Sequence, residues 1–269
     1  MRRSRFSRVA VVLAVDLDVR IIERVARVFI PLPDHDFDVT EVAVPWKLLR
    51  RAGHEVVFAT ERGAQPAGDA RLLTGVIFGK LGAEPEPKAF YADLTEDAAF
   101  KAPARWSELD TNRFDGLVLP GGHAPGMRQY LGNEELQRVV QRFWELDRPV
   151  GAICHGVLVL ARCRDAGGKS PLHAMKTTCL PKYMERAAYF STFWKLGKYY
   201  RTYPAYVEDE VRASLASPQR FVRGPFELSG RGTDTDDSAA FVVEDGRYVS
   251  ARWPGDAYLF AKKFIERLR

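Results

Sequence analysis

The stretch "RPVGAICHGVLVLAR" (148–162) decides the fold. Its first apolar run, 149–153, has the length and composition of a strand buried on both faces. The second run, from Gly156 onward, reads as the start of a helix. Cys154 falls on the turn between them. A strand, a sharp turn and a helix make a nucleophile elbow, which lifts one side chain above the carboxyl end of the strand. The spacing Gly151-x-x-Cys154-x-Gly156 is looser than the G-x-S-x-G form. Gly156 still permits the close backbone approach that such a turn needs.

Position gives the thiol its chemistry. A cysteine at a helix N-terminus sits at the positive end of the dipole, which predicts a lowered pKa and more thiolate. The N–H of His155 has no intrahelical partner and can face a developing oxyanion. Adjacent side chains diverge, so the His155 ring reaches the sulfur only if the turn is irregular. The same pattern also fits a small buried cysteine beside a structural histidine. "LPGGHAPGM" (119–127) ends a second buried strand on the same predicted edge of the sheet. Gly121, Gly122 and His123 are therefore candidates for oxyanion or substrate binding, with Gly122 N–H the second oxyanion donor.

The rest of the chain extends this picture. "RVAVVLAV" (8–15), "HEVVFAT" (54–60) and "DGLVLP" (115–120) are expected strands. Residues 133–147 form an amphipathic helix with Asn133 as cap. Residues 241–252 form a hairpin around Asp245-Gly246, followed by a C-terminal helix. Strands alternating with helices predict an α/β fold with a mostly parallel sheet between helical layers. Ligands then bind beyond the carboxyl ends of 115–120 and 149–153. Residues 16–40 make an unusually long connection. Residues 186–230 are crowded with aromatics, expected either as a helical insertion on the sheet edge or as a lid over the site.

Composition excludes several classes. The 269 residues are 46% hydrophobic and 28% charged, as in ordinary globular proteins, and suffice for a single domain spanning 1–269. No apolar run is long enough to span a bilayer. The N-terminus imitates a signal peptide, but its apolar run is short and ends in Asp16 and Asp18, so a strand is the better reading. Of the net charge of +5, Arg2, Arg3, Arg5 and Arg8 supply most, which predicts a flexible basic arm over 1–8 rather than a nucleic-acid surface. Cys154, Cys163 and Cys179 form no CxxC pair, and the five histidines form no HxxxH or HxxH pair. A reducing, cytoplasmic setting without a disulfide framework or sequence-local zinc site is expected.

At these residues the chain resembles the ThiJ/PfpI superfamily, of class I glutamine amidotransferase-like, flavodoxin-like fold. Four motifs in the family's order carry the resemblance: "DVTEVAVPWKLLRRAGHEVVFAT" (38–60), "FDGLVLPGGHAPG" (114–126), "PVGAICHG" (149–156) and "YVSARWPGDA" (248–257). The resemblance implies a flavodoxin-like three-layer sandwich. It also implies that Glu41, four positions before Pro45, lies beside Cys154 as general acid/base. A carboxyl next to a thiolate is pushed toward its protonated form, which suits that task. By likeness to the glyoxalase III/chaperone branch, an acid some thirty residues after the cysteine completes a Cys-His-acid set, and Glu185 is the nearest match. Such an acid fixes the tautomer of His155. Where some chaperone members carry a metal-binding histidine, this chain has Trp46, Lys47, Leu48 and Leu49, so neither metal nor other cofactor is expected. No histidine follows His173, which disfavours glutaminase chemistry of the amidotransferase kind. Family analogy also suggests a homodimer.

Three functions follow as expectations. The first is a glyoxalase III-like, cofactor-free conversion of a 2-oxoaldehyde to a 2-hydroxy acid through a hemithioacetal on Cys154. The second is a cysteine hydrolase, such as a peptidase, amidase or deglycase, using Cys154, His155 and Glu185. The third is non-enzymatic: a redox sensor or holdase chaperone.

Overall fold

The computed structural model describes residues 24–269. Nine short strands are present: β1 (Arg27–Pro31), β2 (His35–Phe37), β3 (Glu55–Thr60), β4 (Ala67–Gly68), β5 (Ala104–Arg105), β6 (Gly116–Leu119), β7 (Val150–Ile153), β8 (Val242–Asp245) and β9 (Tyr248–Ala251). The helices are α1 (Val39–Arg51), α2 (Ala70–Thr74), α3 (Pro85–Glu96), α4 (Ala98–Lys101), α5 (Met127–Leu131), α6 (Glu134–Glu145), α7 (Val157–Arg162), α8 (Lys182–Leu196), α9 (Val207–Ser214) and α10 (Ala257–Glu266). Seven strands form one sheet in the order β5-β3-β1-β6-β7-β9-β8. All its pairings are parallel except β8–β9, the expected hairpin.

The pleat assigns the two helical layers. Alternate residues of a strand point to opposite faces. A Cβ on Gly116 would lie 2.8 Å from Leu268, 2.9 Å from Phe264 of α10 and 3.4 Å from Val28 of β1. Val28 therefore faces α10. Phe29, the next residue, meets the Phe143 ring of α6 on the other side, with centroids 5.2 Å apart. Burial on both faces explains the continuous apolar runs of β1, β6 and β7.

The chain reverses direction across the sheet between β1 and β6. After β1 it passes through α1 to β3 on one side, and after β6 it continues to β7 on the other. This is a topological switch point, where the loops beyond the strands part to leave a crevice. The loops after β1, β6 and β7 supply Asp38 and Glu41, Gly121 to His123, and Cys154 in turn.

Two expectations change. The strand expected at 8–15 and the arm at 1–8 lie outside the described residues. The strand that opens the described sheet, β1, falls inside 16–40 and shortens that supposed connection. Its run "RVFIP" is brief and closes on prolines, so it looks weaker in sequence than "RVAVVLAV", yet four of its five residues are fully enclosed. The segment expected at 186–230 holds most of α8, which begins earlier, at Lys182, and all of α9, joined and followed by irregular chain.

Candidate active site

The site begins at the N-terminus of α1. "DVTE" (38–41) reads as a capping box, in which the third helical residue returns to the N–H of the cap. Asp38 does cap the helix, since its Oδ1 accepts from Thr40 N (2.8 Å) and Glu41 N (3.1 Å). Its own N–H is taken by Gly121 O at 2.9 Å. Glu41 is thereby released from capping, and its Oε2 accepts from Gly121 N at 2.8 Å. This reciprocal pair of bonds fixes α1 to the loop after β6. The carboxyl is fully buried and Oε1 has no hydrogen-bond partner among the described residues, while the Cys154 thiol is near enough that each group shifts the titration of the other.

Cys154 stands on the elbow. Its φ of 58° lies in the left-handed region, a conformation that costs a residue with a Cβ about 1 kcal/mol or more. Gly156 makes the turn possible, because a Cβ there would come within 2.1 Å of Leu119 O and 2.6 Å of Pro120 O. The helix start thus rests directly on the end of β6. The thiol is almost wholly enclosed, at 4% exposure.

The sequence predicts a lowered thiol pKa, and the structure reverses that expectation. Burial, followed by the charges of Glu41 and Asp38, pushes the Cys154 thiol well above its ordinary value. The N–H of His155 acts in the opposite direction but is outweighed. Only six residues of α7 follow the turn, too little helix to offset two carboxyls in a dry site. Glu41 is itself pushed well above 4.5 by burial and by Asp38, and Asp38 is raised to about 6, chiefly by burial. The Glu41–Cys154 pair therefore tolerates one negative charge far better than two.

His155 does reach the sulfur. Its Nδ1 lies 3.5 Å from Cys154 Sγ, and its Nε2 lies 3.4 Å from Thr202 Oγ1. Thr202 gives its single hydroxyl proton to His123 O at 2.8 Å, so at Nε2 it must accept. That places the imidazole proton on Nε2 and turns the Nδ1 lone pair toward the thiol. Burial, together with His123, Arg162 and Arg201, lowers the pKa of His155 well below 6.5, so the ring is neutral.

Glu185 does not complete a triad with His155. Its Oε1 pairs with Arg201 at 2.8 Å and its Oε2 accepts from Val207 N at 3.0 Å. The carboxyl thus fastens the start of α8 to the start of α9. Burial raises its pKa to about 7. The group at the far nitrogen of His155 is Thr202, a residue that no motif in the chain marks.

A cavity of about 320 Å³ opens above the thiol. Asp38, Thr40, Gly122 and His123 line it near Cys154. His123 is neutral, with its pKa lowered by burial to about 4, and its buried Nδ1 has no partner among the described residues. Gly122, with φ 145°, lines the same cavity as Cys154, and the His155 N–H acts on the thiol. The capping-box pattern could have flagged Asp38. Trp253 lies within the "YVSARWPGDA" motif, whereas nothing in the local sequence could have flagged Arg231, which reaches the rim from a distant loop.

Residues 32–225 match the family described as ThiJ/PfpI family-like. That stretch is well over half of the chain and contains every group gathered around the thiol except Arg231 and Trp253. The chain belongs to the ThiJ/PfpI family. The match also runs through α8 and α9, so these helices fall within the family's span. An uncharacterized protein of Schizosaccharomyces pombe is 28% identical over 249 residues, covering 89% of this chain and 82% of that one. A deglycase of Pyrococcus abyssi is 27% identical, covering 87% and 94%. Among solved structures, glyoxalase III of Candida albicans shares the fold, with a TM-score of 0.63 at 19% identity over 91% of this chain and 98% of that one. In this ThiJ/PfpI protein the first three sequence motifs meet beside the switch point, the fourth reaches the cavity rim through Trp253, and the acid lies beside the thiol.

Proposed function

We propose that this ThiJ/PfpI protein is a cofactor-independent cysteine enzyme that converts a 2-oxoaldehyde to a 2-hydroxy acid. One observation carries the reading: a buried carboxyl, Glu41, with a raised pKa, beside a thiol on a left-handed elbow. Chemistry of this kind needs a group that both gives and takes a proton beside the reacting carbon. In the reactive form the pair carries a single negative charge, with the proton on Glu41. The Cys154 sulfur bonds to the aldehyde carbon while Glu41 protonates the carbonyl oxygen, giving a hemithioacetal. Glu41, now a carboxylate, takes the proton from that carbon and returns it to the neighbouring carbon, while the hydroxyl proton of the first carbon passes to the oxygen of the second. The first carbon is oxidised and the second reduced, and a thioester of the 2-hydroxy acid results. Water cleaves the carbon–sulfur bond, and the thiol is restored. Gly122 N–H and His155 N–H hold the oxygen as charge develops. The neutral His155 ring positions the sulfur.

The relatives named deglycases support a second reading, in which the carbonyl reaches the same thiol and carboxyl on a glycated adduct. Following lactate formation from methylglyoxal separates the two. The wild type is expected to form lactate, Cys154→Ser none, and Glu41→Gln at least about a hundredfold less. No lactate, with Cys154-dependent release of amine from a glycated amino acid, overturns the first reading in favour of the second.

A further inference from the structure

The cavity above Cys154 is built for more than the reacting carbons. Its volume of about 320 Å³ lies at the lower end of pockets that hold drug-sized ligands, and a three-carbon oxoaldehyde fills only a part of it. Beyond the polar groups at the thiol, the walls change character. Leu72, Val76 and Leu180 line one part, with Leu228 and Trp253 at another. The facing wall is α8, which turns Met184, Ala187, Ala188, Ser191 and Thr192 toward the cavity. These positions follow the i, i+3, i+4, i+7, i+8 pattern of one helical face. After Met184 the side chains on this face are short and leave the space open.

Charge narrows the substituent further. Only Asp38 and Arg231 among the lining residues carry ordinary charges, and they face each other closely enough for Arg231 to lower the pKa of Asp38. Arg231 also lies 3.6 Å from Glu84 Oε1 and stacks over the Trp253 ring at 4.8 Å. Its charge is thus answered within the protein. A carboxylate or phosphate on the substrate would compete with Asp38 and Glu84 for the single cation that lines the cavity.

We infer that the substrate is a 2-oxoaldehyde bearing a neutral, apolar substituent of several carbons, which lies along the small-residue face of α8. This rests on the proposed 2-oxoaldehyde chemistry. The experiment compares kcat/KM for methyl-, propyl- and hexylglyoxal and for a hexylglyoxal ending in a carboxylate. An apolar wall discriminates by roughly tenfold or more per few methylenes. The constant is therefore expected to rise at least tenfold from methyl to hexyl and to fall back with the terminal carboxylate. Ala188→Phe fills the cavity from a partly exposed helical position and is expected to reduce the hexyl-to-methyl ratio at least tenfold, with folding checked by circular dichroism. A flat series with methylglyoxal turned over, or preference for the carboxylate, overturns the inference and leaves the proposed reaction standing. Turnover of none of the four compounds overturns the reaction itself.

Discussion

Glu41 is enclosed beside a thiol and a second carboxyl, and this placement links its proton to the stability of the fold. Its pKa rises from the ordinary 4.5 because burial and Asp38 disfavour the charged form. The folded chain therefore holds a proton that the unfolded chain releases. The resulting stabilisation is fully present below 4.5 and is lost as pH rises toward and through the folded value. The limiting slope is about 1.4 kcal/mol per pH unit. Glu41→Gln removes this titration and keeps an acceptor for Gly121 N–H. Urea unfolding of both proteins between pH 5 and pH 8 is expected to show the variant gaining relative to wild type as pH rises. Parallel pH profiles would sink the assignment. At this scale the sequence was readable in part. Glu41 could be found only through the family's motif, because its partner lies on another strand end. Thr202 could not be found, since it meets His155 across 47 positions of chain and lies in no regular element. Counting thirty residues from the cysteine led to Glu185, but spacing along the chain does not say which way a carboxyl points. Here Arg201 and the start of α9 hold it.

At the scale of elements, the junction of β6, β7 and α7 sets the position of the thiol. The helix start approaches the end of β6 so closely that Gly156 has no room for a methyl group. Gly156→Ala places a Cβ against backbone carbonyls, which cannot rotate away as a side chain can. The junction must open, at a cost of about 1–3 kcal/mol. The displaced elbow moves the sulfur relative to Glu41, and a misplacement near 1 Å reduces rate by roughly a hundredfold. Activity is thus expected to fall far more than stability, as read from kcat/KM and the urea midpoint of the same variant. Retention of wild-type activity would show that the contact is not what places the thiol. Strands β3, β6 and β7 were legible as short apolar runs because both their faces are covered. Helix α8 was harder to read, since its periodicity is weak. One face carries small residues to the cavity, while Phe190, Phe193 and Trp194 remain exposed on its surface.

Across the whole molecule, the C-terminal part is drawn together by one enclosed ion pair. Arg252 and Asp256 are both fully buried and joined at 2.8 Å through two of the guanidinium nitrogens, Nε and Nη2. The remaining contacts extend the pair across the fold. Arg252 Nη1 donates to Pro225 O at 2.8 Å, while Asp256 accepts from Phe241 N at 2.9 Å and Arg252 N at 3.0 Å. The pair thus ties the loop before α10 to two segments whose own backbone forms few regular bonds, and it stands behind the Trp253 rim of the cavity. Both residues lie in the "YVSARWPGDA" motif, which was legible as a family mark but not as an ion pair. Removing one partner leaves the other charge buried and alone, which costs about 3–5 kcal/mol, whereas replacing both with apolar residues is often neutral. Asp256→Asn is therefore expected to lower unfolding stability by about that amount. Arg252→Met combined with Asp256→Leu is expected to recover much of it, because no unpaired charge remains. Urea denaturation of the three proteins checks both steps. If the double variant is no more stable than the single one, the backbone bonds to Pro225 and Phe241 hold this region, and the charge pair is secondary to them.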